Sequence, residues 1–127
     1  MSYSHICYMD YQKFINSIKI GINSHKFDLK TISYFRKDNV SLSILICLLE
    51  RHYNNNNNNN NNIENILKDL SNVIASRPKF FKIINNAISK SYLIKEANKN
   101  DKRKFNIFLS KQSIKEFEDW ALLFCNL

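Results

Sequence analysis

The chain has 127 residues, of which 44% are hydrophobic, with one glycine, one proline and a formal charge of +8. That length holds one domain with one core. The apolar fraction excludes a disordered chain, and the scarcity of glycine and proline disfavours a sheet with many tight turns. The predicted fold class is therefore all-α, a compact five- to six-helix bundle over residues 9–95. A basic connector and a C-terminal helix over residues 96–127 pack on the bundle or extend from it.

Asp10 can cap a first helix over Tyr11–Ile22, in which Phe14, Ile18 and Ile22 fall on one face with Ile15 beside them. A second helix is predicted from Lys26 to Arg36, carrying Phe27, Leu29, Ile32, Tyr34 and Phe35. A third, Leu42–Tyr53, opens after a cap at Asn39 or Ser41 and is apolar on nearly every face, so other helices must surround it. Nine asparagines follow, Asn54 to Asn62. A strand reading is open, because polar asparagine tracts can pair into β structure. The preferred reading is a solvated loop, a neutral expansion that carries no site, because a loop tolerates added length at small entropic cost.

Ile63, Ile66, Leu67, Leu70, Val73 and Ile74 predict an amphipathic helix over Ile63–Ala75. Pro78 pushes Arg77 out of helical geometry and can itself stand in the first turn of a new helix. That helix presents Phe80, Phe81, Ile84, Ala87 and Ile88 and extends towards Lys95. Residues 90–104 are rich in lysine and read as a solvated helix end and loop. Ser113-Ile-Lys-Glu116 matches a capping box and opens a last helix, with Trp120 as a core anchor.

The positive charge suits nucleic acid or another acidic partner, although excess lysine also reads as plain solvated surface. Cys7, Cys47 and Cys125 are odd in number and far apart. No disulfide framework follows, and a reducing compartment is expected. The N-terminus lacks a basic segment followed by a long apolar run. The longest apolar run falls well short of the roughly 20 residues that span a bilayer. The expected location is cytoplasmic, without membrane insertion. There is no Cys-x-x-Cys, no histidine pair at helical spacing and no glycine-rich phosphate loop, and His5, His25 and His52 lie in separate segments. No catalytic residue, metal or cofactor is expected, and the chain reads as non-enzymatic.

Several stretches between Met9 and Ile88 resemble a death-effector domain: Met9-Asp-Tyr-Gln-Lys-Phe-Ile15, Phe27-Asp-Leu-Lys-Thr-Ile32, Leu45-Ile-Cys-Leu-Leu-Glu50, Ile66-Leu-Lys-Asp-Leu70 and, most specifically, Arg77-Pro-Lys-Phe-Phe81. The last is similar to the family's Arg-x-Asp-Leu-Leu. The resemblance implies a six-helix death fold, in which Arg77 pairs with Asp28. Lys79 stands where the motif has aspartate, so the family's charge triad is reduced to that pair. The turn at residues 36–41 is also too short for the usual third helix. The function so implied is that of an adaptor or decoy in apoptosis or innate immune signalling. It would dock on death-fold partners or on itself, with Ile15, Phe27 and Tyr34 as apolar contacts and Arg77 and Lys79 as a basic edge.

Two other readings stand beside it. One is a basic helical protein that binds nucleic acid through Lys95, Lys99, Lys102, Arg103 and Lys104. The other is a structural subunit that uses the Trp120 helix as its contact.

Overall fold

The 3.6-residue spacing of apolar side chains forms helices over most of the chain, and one lysine-rich stretch forms a hairpin instead. The computed structural model describes residues 11–22, 29–54, 61–73, 76–98, 101 and 103–125. Among them are six helices and two strands: α1 (Tyr11–Ile22), α2 (Lys30–Phe35), α3 (Asn39–Asn54), α4 (Ile63–Asp69), α5 (Arg77–Ser89), β1 (Leu93–Ala97), β2 (Phe105–Leu109) and α6 (Lys111–Cys125). The fold is mostly helical, as expected, but it is not purely α. None of the described helices is long and apolar enough to cross a membrane.

α3 is central, as its all-round apolarity requires. Ile44, Leu45, Leu48 and Leu49 are buried, packed with Ile32 and Phe35 of α2, Ile66 of α4, Phe80 and Ile84 of α5, and Leu93 and Ile107 of the hairpin. The cap of α3 is Asp38, one residue before the earlier of the two predicted caps. Its carboxylate accepts from the Ser41 amide at 2.7 Å. The cap of α6 is Ser110, three residues before the predicted cap Ser113: Ser110 Oγ accepts from the Ser113 amide at 3.2 Å, and Ser113 is buried within the helix. Trp120 of α6 is half-buried, edge-on to Phe124 and Phe117, and its ring lies against Gly21 of α1.

The asparagine run ends in structure. Asn61 is buried. Its carbonyl accepts from the Ile107 amide at 2.9 Å, and its side-chain amide donates to the Ile107 carbonyl at 3.0 Å. Asn62 bridges to Asn106 and caps α4, its Oδ1 accepting from the Asn65 amide at 2.9 Å. Residues 55–60 lie outside the described residues, but the last two asparagines lay a short edge on β2 and open a helix. The reading of the run as neutral therefore fails at its end.

α4 stops at Asp69, short of the predicted Ala75, and a turn leads towards α5. Ser76 caps α5 by accepting from the Lys79 amide at 3.3 Å, with Pro78 in the first turn. α5 ends at Ser89. The Ser91 amide donates to the Ile88 carbonyl and the Tyr92 amide to the Ala87 carbonyl, with Ser91 at φ 64°. This left-handed exit satisfies the last carbonyls of the helix and turns the chain into β1. β1 and β2 are antiparallel, Leu93 opposite Leu109 and Ala97 opposite Phe105. The predicted solvated loop over residues 90–104 is therefore the first strand and connection of a hairpin.

Candidate nucleic-acid interface

α5 buries Phe80, Ile83, Ile84 and Ala87. At about 100° per residue, Pro78, Lys82, Asn85 and Ser89 then fall within roughly 60° of one another on the opposite side, and all four are exposed. The helix contains no acidic residue. It therefore offers solvent a narrow stripe with one cation, one amide and one hydroxyl in line.

Each flank of the stripe is basic. On one side, Lys79, Lys82 and Asn86 line a groove of about 450 Å³ together with Lys37 and Asp38 from the α2–α3 turn. On the other, Arg77 reaches α4, its Nη2 at 2.8 Å and Nη1 at 3.4 Å from the Glu64 carboxylate. The hydrogen bond and charge of Arg77 hold the Glu64 carboxyl below the usual range, and Lys104 adds a smaller pull in the same direction. Lys104 thus lies within electrostatic reach of the first turn of α4, which brings the base of the hairpin connection to this side of α5.

Asn98 ties that connection. Its amide donates to the Lys104 carbonyl at 3.0 Å, its side-chain oxygen accepts from the Asp101 amide at 3.2 Å, and its side-chain nitrogen donates to Asn106 at 3.2 Å. Arg103, 92% exposed at its side chain, lies 3.4 Å from Asp101. Lys95 lies over the Phe105 ring, 4.1 Å from its centroid, a diagonal cross-strand contact.

The residues singled out in the sequence are scattered over this frame. Phe27, Asp28, Lys99 and Lys102 lie outside the described residues. Ile15 is exposed on α1. Tyr34 is half-buried and donates to the Ile83 carbonyl at 2.8 Å. Arg77 and Lys79 stand at the start of α5, and Lys95, Arg103 and Lys104 on the hairpin. Sequence reading missed Lys82, Asn85, Asn86 and Ser89, and also Lys37, and took Lys90 only as the start of the charged stretch 90–104. Its signal for α5 was the apolar periodicity, and the complementary polar positions were in the same pattern.

Burial pushes the Cys47 thiol up, and among the described residues no group of three histidine, cysteine or acidic side chains is placed to hold a metal.

No protein-family model matches the chain, and no curated protein matches it. It superposes on the crystal structure of a chain described as a MarR-like transcription regulator from Bacillus cereus ATCC 10987. The TM-score is 0.52 at 13% identity, over 93% of this chain and 78% of the other. At that identity the likeness shows the fold alone, and the fold is winged-helix-like: α4 and α5 as a helix pair, followed by a hairpin.

The death-effector resemblance is overturned by this likeness, and with it the apoptotic and innate-immune roles and the death-fold partners. The quoted stretches are short amphipathic helix signatures, which any helical core reproduces. A six-helix death fold has no place for the hairpin that follows α5. Within the described residues the partner of Arg77 is Glu64.

Proposed function

We propose that this chain is a non-catalytic DNA-binding regulator of transcription, with α5 entering the major groove and the hairpin lying on the neighbouring backbone. The observation that carries the reading is the exposed stripe of α5, free of acid and basic on each flank. Helices of this kind reach base edges with a few central side chains while cations beside them meet phosphates. Lys82, Asn85 and Ser89 are the central residues. Lys79, Arg103 and Lys104 take phosphates. The net charge of +8 favours the encounter. The test is fluorescence anisotropy with a labelled duplex across a salt series. Each neutralised phosphate contributes about −0.9 to the slope of log K against log salt, so these three cations predict a slope of about −2.7. A slope near zero, or no duplex binding from folded protein, would sink the reading.

Self-association belongs to the same proposal. Tyr11, Phe14, Ile15 and Ile18 of α1 are 70%, 61%, 45% and 47% exposed, and the helical period places them on one face. A second copy covering that face would present two α5 helices to two half-sites. Sedimentation should show a dimer that Phe14→Glu dissociates. A wild-type monomer at the concentrations where DNA is bound would remove this part of the proposal and leave the first.

A further inference from the structure

Tyr34 gathers two lysines from different parts of the chain. Lys37 Nζ, from the α2–α3 turn, lies 4.1 Å from its ring centroid. Lys90 Nζ, at the C-cap of α5, lies 5.3 Å from the same centroid. The ring itself is fixed. Its hydroxyl is bonded to the Ile83 carbonyl, and it packs on Phe35 at 5.0 Å and Tyr92 at 5.4 Å. Each ammonium is favoured by the ring face, but two like charges on one ring repel each other, and a shared anion relieves that repulsion.

Asp38 is the acid at this place. Its carboxylate is turned into the first turn of α3, where the hydrogen bond from the Ser41 amide holds it below the usual carboxylate range, with smaller contributions from Lys79 and Lys37. It remains ionised but engaged, and the groove it shares with Lys37, Lys79 and Lys82 stays net positive. Asn86 also lines the groove, and its side chain hydrogen-bonds Tyr34.

We infer that Lys37 and Lys90, held on Tyr34, form a second clamp for backbone phosphates of duplex DNA, on the flank of α5 away from Glu64 and the hairpin. The inference rests on the DNA-binding reading and deepens it. The α2–α3 turn becomes a DNA contact, and the duplex is held on both sides of α5. Phosphodiester is the occupant because the groove opens along the exposed face of α5, and a fixed ring aims the two ammoniums before binding, which lowers the ordering cost.

The experiment compares salt slopes of duplex binding for wild type, Lys37→Gln, Lys90→Gln, the double variant and Tyr34→Phe. Each lysine variant should weaken binding about equally on unrelated sequences and flatten the slope by about 0.9, the double variant by about 1.8. Tyr34→Phe keeps the ring and should keep the slope. Both lysines are exposed, and unchanged melting temperatures will show that the variants fold. Wild-type slopes in Lys37→Gln and Lys90→Gln, with duplex binding intact, overturn the clamp and spare the DNA-binding reading. Loss of binding to anionic lipid vesicles in those variants, with an unchanged DNA slope, also overturns it and assigns the cluster to a membrane surface. No duplex binding by wild type overturns both readings together.

Discussion

Lys82→Glu is expected to weaken duplex binding by about two orders of magnitude while leaving the melting temperature within a few degrees of wild type. Lys82 stands in the middle of the exposed stripe of α5 and also lines the groove beside it. Removing such a cation costs about 1–3 kcal/mol of binding. Replacing it with a carboxylate adds repulsion from the phosphates, so the total reaches about 3 kcal/mol, and each 1.4 kcal/mol is a factor of ten. Lys82→Ala should therefore lose only about tenfold. Stability is spared because the side chain is exposed, and exposed substitutions away from caps and buried groups stay within about 0.5 kcal/mol. Lys13→Glu makes the same change of charge on α1, at an exposed position. If binding came from net charge alone, the two reversals would cost the same. Equal losses by anisotropy would remove α5 from the interface, whereas a loss confined to Lys82→Glu would place it there.

The helices were legible because each is set by local spacing. Phe14 and Ile18 mark α1, the run from Leu42 to Leu49 marks α3, and Ser76 with Pro78 marks the start of α5. The hairpin was not legible. Its first strand, Leu93-Ile-Lys-Glu-Ala97, buries only Leu93 and so lacks the alternation that reveals a half-buried strand. The glycine count misled for a physical reason. Few glycines do exclude many tight turns, but one hairpin closed by Asn98 needs none. The exit from α5 is equally silent, because the left-handed position that glycine usually marks is held by Ser91. Asn61 and Asn62 were hidden inside a homopolymer, where composition cannot tell a strand edge and a helix cap from the loop before them. The site was half-legible. The lysines around the hairpin were noticed as charge, whereas α5 was read for its apolar side and for Arg77 and Lys79 at its start but not for Lys82, Asn85 or Ser89, and Lys37 and Lys90 come together only through the fold.

The largest loss of stability from a side chain outside the apolar core is expected at Glu116. This residue of α6 serves a helix 85 positions earlier in the chain. α2 has only six residues, and Leu29 at its N-cap offers no side-chain cap. Glu116 supplies it instead: Oε1 accepts from the Thr31 amide at 3.1 Å and Oε2 from the Thr31 hydroxyl at 2.7 Å. The carboxylate also faces the positive end of the helix. Thr31 and Ser113 are buried, and the network continues: Thr31 Oγ1 lies 2.9 Å from Ser113 Oγ, Ser110 donates to Ser113, and Ser113 donates to the Tyr92 carbonyl at 2.8 Å. Three hydroxyl protons serve four contacts, so the charged acceptor decides which way they point. Glu116→Ala leaves a buried amide without its acceptor and strips α2 of its cap, and should cost about 2–3 kcal/mol. For a domain of this size that lowers the melting temperature by roughly 8–12 °C. Glu116→Gln should cost under about 1 kcal/mol. Its carbonyl can accept from the Thr31 amide while its NH2 donates to the Thr31 hydroxyl, which frees that proton for Ser113. Because Ser113 holds the residue that leads into β1, the alanine variant should also weaken duplex binding through the hairpin and the end of α5, and glutamine should restore it. Calorimetric melting of the two variants separates the causes. A wide gap between alanine and glutamine assigns the stability to the hydrogen-bond network, whereas equal losses would assign it to the carboxylate's charge alone.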